Sequence, residues 1–208
     1  MKLSKKKLLI FDLDGVLFDS KKNMELAWNS TSKKFDLDVP FSLYFKKIGM
    51  PFSEILKSLD IKPKKKIIDH YKNMSLKKID KIKPYKNAIK SLKFLKKKVK
   101  FSIVTSKDLK RTKFLLKKFK IYPNSIHCPN IKYRGKPSPD HILNSIKKNS
   151  VKRKDACFFG DMKVDYLAAK NAKIDFIFAS YGYGKKKSFY KNQIKNLNEI
   201  KQFINILY

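Results

Sequence analysis

Two aspartates, Asp12 and Asp14, stand one residue apart, directly behind an apolar run of four residues and directly ahead of Gly15. Two carboxylates side by side repel, and without a cation one of them tends to take up a proton. The pattern reads as a hard-metal site with a reactive carboxylate. Two later apolar runs also end in polar or small residues. The run 99–104 leads into Thr105 and Ser106, and 156–159 leads into Gly160 and Asp161, with Asp165 one helical turn further on. Between them, the loop Arg134-Gly135-Lys136-Pro137-Ser138-Pro139-Asp140 delivers Lys136 just before a helix with Pro139 near its first turn. Of only six glycines, Gly15, Gly135 and Gly160 fall at these places, where backbone must turn or approach a ligand closely.

The elements that must hold these residues follow from the apolar pattern. Leu8-Leu9-Ile10-Phe11 has the length and content of a buried parallel strand. Residues 21–83 change character: Met24 to Trp28, Phe52 to Leu59 and Ile67 to Tyr71 carry apolar residues at helical spacing, punctuated by Pro40, Pro51 and Pro63. From Tyr85 onward helix and strand alternate. Helices are predicted over 88–95, 109–119, 139–146, 164–171 and 194–207, and strands over 99–105, 125–128, 156–160 and 176–179. Such alternation implies right-handed βαβ units, so the expected fold is α/β, a Rossmann-like parallel sheet with an inserted α-helical sub-domain. In sheets of this kind the ligand crevice lies outside the carboxyl ends of the strands, where the acids, Thr105 and Lys136 gather.

Composition narrows the class. Hydrophobic residues make up 42% of 208, enough for a full core, and no apolar run approaches the roughly 20 residues of a membrane span. The basic start, 1–7, precedes only four apolar residues ending in Asp12, too few for a signal-peptide core. Cys128 and Cys157 sit in apolar, strand-like contexts and read as buried thiols of a reducing compartment, so a cytoplasmic location is expected. The formal charge is +34, yet only Arg111, Arg134 and Arg153 are arginine, which leaves 51 − 3 = 48 lysines spread along the chain. A dedicated nucleic-acid surface clusters its charge and favours arginine, so the spread argues against one. His70, His127 and His141 lack paired ligand spacing, and Trp28 reads as core.

The four motifs together resemble the haloacid dehalogenase superfamily, in its phosphoglycolate-phosphatase-like group with a helical cap. Asp12-Leu13-Asp14-Gly15-Val16 is similar to the first motif, Thr105 to the second, Lys136 in Gly135-Lys136-Pro137 to the third, and Gly160-Asp161-Met162-Lys163-Val164-Asp165 to the fourth. The likeness covers essentially the whole chain. It implies a core of 1–20 and 84–208, a cap of 21–83, and a phosphatase acting on a small-molecule phosphate ester. In that resemblance Asp12 is the nucleophile that forms an aspartyl-phosphate, and Asp14 the general acid and base. Mg²⁺ is implied as cofactor, with Asp12, the Asp14 carbonyl and Asp161 as ligands and Asp165 in the same shell, directly or through a metal water or Lys136. Thr105, Ser106 and Lys136 would bind the phosphoryl group, Lys136 by neutralising its charge.

The stretch Lys46-Lys47-Ile48-Gly49-Met50-Pro51-Phe52 resembles the substrate-facing cap loop, which puts Lys46, Lys47, Met50 and Phe52 forward as substrate contacts. Tyr181-Gly182-Tyr183-Gly184 resembles phosphoglycolate phosphatases and tilts the substrate toward that class; sugar phosphates and nucleotides remain open. Two alternatives stand beside this reading. A related phosphosugar mutase would carry a hinge histidine where Met24 stands and a basic residue where Phe52 stands. A basic binding protein on a retired enzyme fold would not need the full set of acids and Lys136.

Overall fold

A computed structural model describes residues 5–204. In chain order the elements are β1 (Leu8–Phe11), β2 (Phe18–Asp19), α1 (Lys21–Phe35), α2 (Phe41–Phe45), α3 (Phe52–Lys57), α4 (Lys65–Lys77) and β3 (Lys83–Pro84). They continue with α5 (Ala88–Lys96), β4 (Lys100–Val104), α6 (Leu109–Lys118), β5 (Ser125–His127), α7 (Asp140–Lys148), β6 (Ala156–Gly160), α8 (Lys163–Ala172), β7 (Asp175–Ala179) and β8 (Gln193–Ile194). Six strands form one sheet in the order β5-β4-β1-β6-β7-β8, and every pairing in it is parallel. β2 and β3 pair antiparallel outside it.

The apolar runs explain the sheet. Strands covered on both faces need apolar side chains on both, so alternate residues feed two cores. Leu9, Phe11, Phe101, Ile103, Phe159 and Ile177 pack on the side of α5 and α6. Leu8, Ile10, Val104, Phe158 and Phe178 pack on the side of α7 and α8. The strand order reverses at β1: the chain runs outward through β4 to β5, then returns to β6 on the other flank. That reversal opens the crevice at the carboxyl ends of β1, β4 and β6.

Helices α1 to α4 lie between β2 and β3 and have a core of their own. Trp28 is fully buried there, stacked on Tyr44 at 4.5 Å between ring centroids, and its indole N–H donates to the Val39 carbonyl (2.8 Å). Phe52 stacks on Tyr71 at 4.0 Å.

The end of the chain departs from the helix predicted over 194–207. Gln193–Ile194 instead adds the edge strand β8, and Leu197–Phe203 winds as a 3₁₀ helix; residues 205–207 lie outside those described. Within the 3₁₀ segment the buried residues are Leu197, Ile200 and Phe203, spaced by three, and buried Ile204 follows directly after it. A strict spacing of three lines up one face of a three-residue turn and drifts off the face of an α-helix. The basic start fares similarly, since residues 1–4 are outside the described span.

Under the sheet edge lies a buried polar layer. The Asn149 amide donates to Ser102 Oγ and Ser125 Oγ (both 3.0 Å), Ser125 Oγ meets His127 Nε2 (2.9 Å), and Asn144 Nδ2 lies 3.3 Å from His127 Nδ1. Burial first, then His141 and Lys148, pushes the His127 imidazole down to about 4. The native protein therefore keeps His127 neutral where the unfolded chain, with a value near 6.5, already binds a proton. Stability is full above that unfolded value and falls as the pH drops from 6.5 toward 4. In urea unfolding the unaltered protein is therefore expected to lose about 1–2 kcal/mol of stability relative to His127→Gln between pH 7 and pH 5.

Candidate active site

The two central site residues are set one step beyond their strands. The Asp12 N–H donates to the Phe159 carbonyl (2.9 Å), and the Thr105 N–H to the His127 carbonyl (3.0 Å), so each side chain is fixed by an extension of the ladder. Both residues are buried. Asp161 follows β6 and is fully buried; Asp165 sits in the first turn of α8, also fully buried. Its Oδ2 accepts from the N–H groups of Asp161 (3.2 Å) and Met162 (2.9 Å), which caps the helix. Its Oδ1 accepts from Lys136 Nζ at 2.6 Å, and the same ammonium lies 3.0 Å from Asp12 Oδ1. The Lys136–Pro137 peptide is cis.

Asp12, Asp161 and Asp165 each offer a carboxylate oxygen, all within 4.8 Å of one another. Burial first drives the Asp12 carboxyl up to about 7, against the pull of Lys136, with Asp165 and Asp14 adding repulsion. Burial, then Asp165 and Asp12, also pushes Asp161 well above the carboxylate range. Lys136 keeps its charge: burial opposes it, but Asp12 and Asp165 outweigh the cost and raise it. Asp161 Oδ2 accepts the Tyr183 N–H (2.7 Å), while its Oδ1 is buried with no hydrogen-bond partner. Crowded carboxylates with an orphaned oxygen fit a hard divalent cation, which takes oxygen ligands. Both oxygens of Asp165 are already engaged, so Asp12 and Asp161 are the open donors of the three.

Glycine makes this cradle possible. Gly15 has φ +85°, and a Cβ there would stand 2.2 Å from Asp161 Oδ2. At Gly182 a Cβ would meet Asp161 Cβ at 2.4 Å and the Gly15 carbonyl at 2.5 Å. The Tyr181–Gly184 segment thus closes over Asp161 and holds its carboxylate from behind.

Asp14 turns its side chain to a cleft between the strand ends and the α1–α4 unit. Its Oδ1 accepts from Ser20 Oγ (2.5 Å) and its Oδ2 lies 3.1 Å from Lys107 Nζ. The cleft has a volume of about 50 Å³, and Asp12, Asp14, Thr105, Ser106, Met50 and Phe52 are among its walls. Ser106 Oγ donates to the Gly49 carbonyl (2.6 Å), tying the end of β4 to the loop ahead of α3. Lys46 and Lys47 are exposed and stand outside the cleft lining. Tyr44 and Ile48, four residues apart, take the buried side of that turn and leave Lys46 and Lys47 on the opposite face. Lys107, Arg111, Tyr44 and Tyr71 also line the cleft and were not expected there. The one signal in the sequence is an arginine at 111 in a chain that otherwise uses lysine.

The profile of the haloacid dehalogenase-like hydrolase family matches residues 9–179. A protein of Clostridium perfringens named as a pyrophosphatase, PpaX, is 31% identical over 172 residues, 80% of each chain. A phosphoglycolate phosphatase of Aquifex aeolicus is 28% identical, over 88% of each chain. Among solved structures, a hydrolase from Pseudomonas syringae superposes with a TM-score of 0.82 at 24% identity, covering 96% of this chain and 100% of that one. A six-stranded parallel sheet of this order, three motifs just past its strand ends with a fourth in the loop ahead of α7, and a profile match across most of the chain have one meaning: this protein belongs to the haloacid dehalogenase-like hydrolase family.

Proposed function

We propose that this phosphatase hydrolyses a small-molecule phosphate monoester in two steps, through an aspartyl-phosphate on Asp12, with Mg²⁺ as its cation. The observation that carries the reading is Asp12 itself: a buried carboxylate at a strand end, facing a cleft, with Lys136 at 3.0 Å and the orphaned Asp161 oxygen beside it. In the first step an Asp12 oxygen bonds to phosphorus as the bond to the leaving oxygen breaks, and Asp14 gives that oxygen its proton. In the second, Asp14 takes a proton from the water that cleaves the acyl phosphate, which releases phosphate and restores Asp12. The Ser20 hydroxyl and Lys107 hold the Asp14 carboxylate toward the cleft. The Thr105 hydroxyl would bind a phosphoryl oxygen. Lys136 would neutralise charge between Asp12 and the phosphoryl group, positioned for it by Asp165. Asp12, Asp161 and, from the family resemblance, the Asp14 carbonyl would hold the metal, which when bound supplies positive charge against the gathered oxygens.

The 21–83 segment is assigned as a cap over a core of 1–20 and 84–208, its hinge at the paired strands β2 and β3. A closed cap excludes bulk water and reads the leaving group. Met24 and Phe52, both apolar, stand where a mutase would want a histidine and a cation, so hydrolysis is favoured over phosphoryl return. The names of the two relatives point to pyrophosphate or phosphoglycolate as substrates. Among the described residues no helix is long and apolar enough to cross a membrane. Two free buried thiols suit a cytoplasmic setting.

The test is phosphate release from a panel of phosphoglycolate, pyrophosphate, hexose phosphates and nucleoside monophosphates, with Mg²⁺ or with EDTA. Release that requires Mg²⁺ is expected; turnover undiminished by EDTA would overturn the metal assignment. Mg²⁺ should also raise the melting temperature, and more at pH 8 than at pH 5.5. In the metal-free protein the raised Asp12 value means stability is lost as the pH climbs from about 4 to 7, and the cation offsets that loss.

A further inference from the structure

Two buried cations line the cleft beyond the one that pairs with Asp12. Lys107, just past Thr105, lies against Asp14 at 3.1 Å, and Arg111, in the first turn of α6, is 6% exposed. Asp108 caps α6 by accepting the Arg111 N–H at 3.1 Å, and its other oxygen accepts from Arg111 Nε. One edge of the guanidinium is thereby clamped to its own helix. The guanidinium carbon stands 5.4 Å from the Tyr71 ring centroid, and the Tyr71 hydroxyl meets the Tyr44 hydroxyl at 2.6 Å. All four side chains line the cleft.

Their place within it is informative. Lys107 pairs with Asp14 at 3.1 Å, and Arg111, one turn along from it, meets Tyr71 and through it Tyr44. The ammonium that pairs with Asp12 is instead that of Lys136, at 3.0 Å. Lys107, Arg111 and the tyrosines thus stand on the side of Asp14, which in the proposed mechanism meets the leaving oxygen. That side offers an ammonium, a guanidinium and the one hydroxyl proton that the tyrosine pair does not use itself, and its other walls include apolar Ile48, Ile55 and Phe52. Donors converging in an apolar, water-poor wall attract an anion strongly. A guanidinium matches the paired oxygens of a carboxylate or phosphate, and an arginine here stands out among 48 lysines (51 − 3). With a cavity of about 50 Å³, the cleft has room for a group the size of a few waters.

We infer that Arg111, with Lys107 and the Tyr44–Tyr71 hydroxyl pair, forms a subsite for a second anionic group, so that the preferred substrates are compact esters whose leaving group carries its own carboxylate or phosphate. This deepens the phosphatase reading and rests on it for the word substrate; the subsite itself is a matter of binding. Two measurements separate them. In the first, kcat/KM is compared for phosphoglycolate and for ethyl phosphate, with Mg²⁺, in the unaltered protein, Arg111→Gln and Arg111→Lys. The unaltered protein should favour phosphoglycolate by about tenfold or more. Arg111→Gln should cut that ratio by about 10–100-fold, as loss of a charge-assisted hydrogen bond does, and Arg111→Lys should restore part of it. A merely structural arginine would lower both esters alike, and that result, or a preference for ethyl phosphate, overturns the subsite. In the second, calorimetry with Mg²⁺ compares phosphonoacetate with methylphosphonate, which need no turnover. Tighter binding of phosphonoacetate, lost in Arg111→Gln, supports the subsite even if no ester is hydrolysed and the phosphatase reading fails; equal binding overturns it. If Arg111→Gln does not fold, Lys107→Gln is judged by the same two ratios.

Discussion

Asp12→Asn is expected to lower phosphate release by at least about 10⁴-fold, with the fold intact. An amide oxygen is a poor nucleophile toward phosphorus, and the neighbouring carboxylates are committed elsewhere, the open oxygen of Asp161 to the proposed metal. Asp165 is held by Lys136 and two backbone N–H groups, and Asp14 by Ser20 and Lys107. The same change should raise the melting temperature in EDTA. Burial and the charges of Asp165 and Asp14 work against an ionised Asp12 in the metal-free protein, and asparagine carries no charge to be buried. Loss of activity with gained metal-free stability is a signature of a functional carboxylate placed at a cost to the fold. A second readout is direct: rapid quench of the unaltered protein with its best ester should trap a phosphoryl group on the chain, absent from Asp12→Asn. Full activity in the variant would remove Asp12 from the chemistry.

The legible part of this protein was the part written locally. Each of β1, β4 and β6 is a short apolar run with its chemistry at the carboxyl end, and a parallel sheet brings those ends together whatever the details between. Asp12, Thr105 and Asp161 could therefore be placed from pattern alone. Lys136, one lysine among 48 (51 − 3), is singled out only by its motif position in the loop ahead of α7. Contacts between distant segments were a different matter. Tyr44, Tyr71 and Arg111 come from α2, α4 and α6, and nothing in the spacing of any one helix says that they meet. The engagement of Asp165 with Lys136 was left open among three possibilities, because a lysine reaches several carboxylates equally well on paper. The chain's end misled for a reason of periodicity, since residues three apart suit a 3₁₀ turn and an imperfect α-helix alike.

The helical unit shows how burial sorts residues of similar type. Lys46 and Lys47 share a motif-like stretch with Met50 and Phe52, yet only the latter pair faces the cleft. A hydrated ammonium stays outside unless an anion meets it, and the buried positions of that turn already go to Tyr44 and Ile48. Lys107 and Lys136 are buried because each has a carboxylate within about an ion-pair distance.

Lys136→Met is expected to cost the most stability of these changes and to lower the rate as well. Lys136 is buried and is shared by Asp12 and Asp165, at 3.0 and 2.6 Å. Removing one partner of a buried pair leaves charge uncompensated, a loss of about 3–5 kcal/mol in urea unfolding at pH 7.5. That loss should shrink as the pH falls, because the stranded carboxyls can then take up protons, and should shrink further in Lys136→Met/Asp165→Asn, where one stranded charge is gone. A double-mutant cycle would therefore show strong coupling, whereas a lysine that merely filled space would give additive losses. On the rate, deleting a preorganised charge beside the phosphoryl group should lower kcat by about 10²–10³-fold. The two effects separate by condition. Saturating Mg²⁺ should recover much of the stability, since a second cation reaches Asp12 and Asp161, but little of the rate, because the metal cannot also occupy the Lys136 position. Recovery of both would mean that Lys136 only compensates the acids, and its electrostatic part in the reaction would have to be withdrawn.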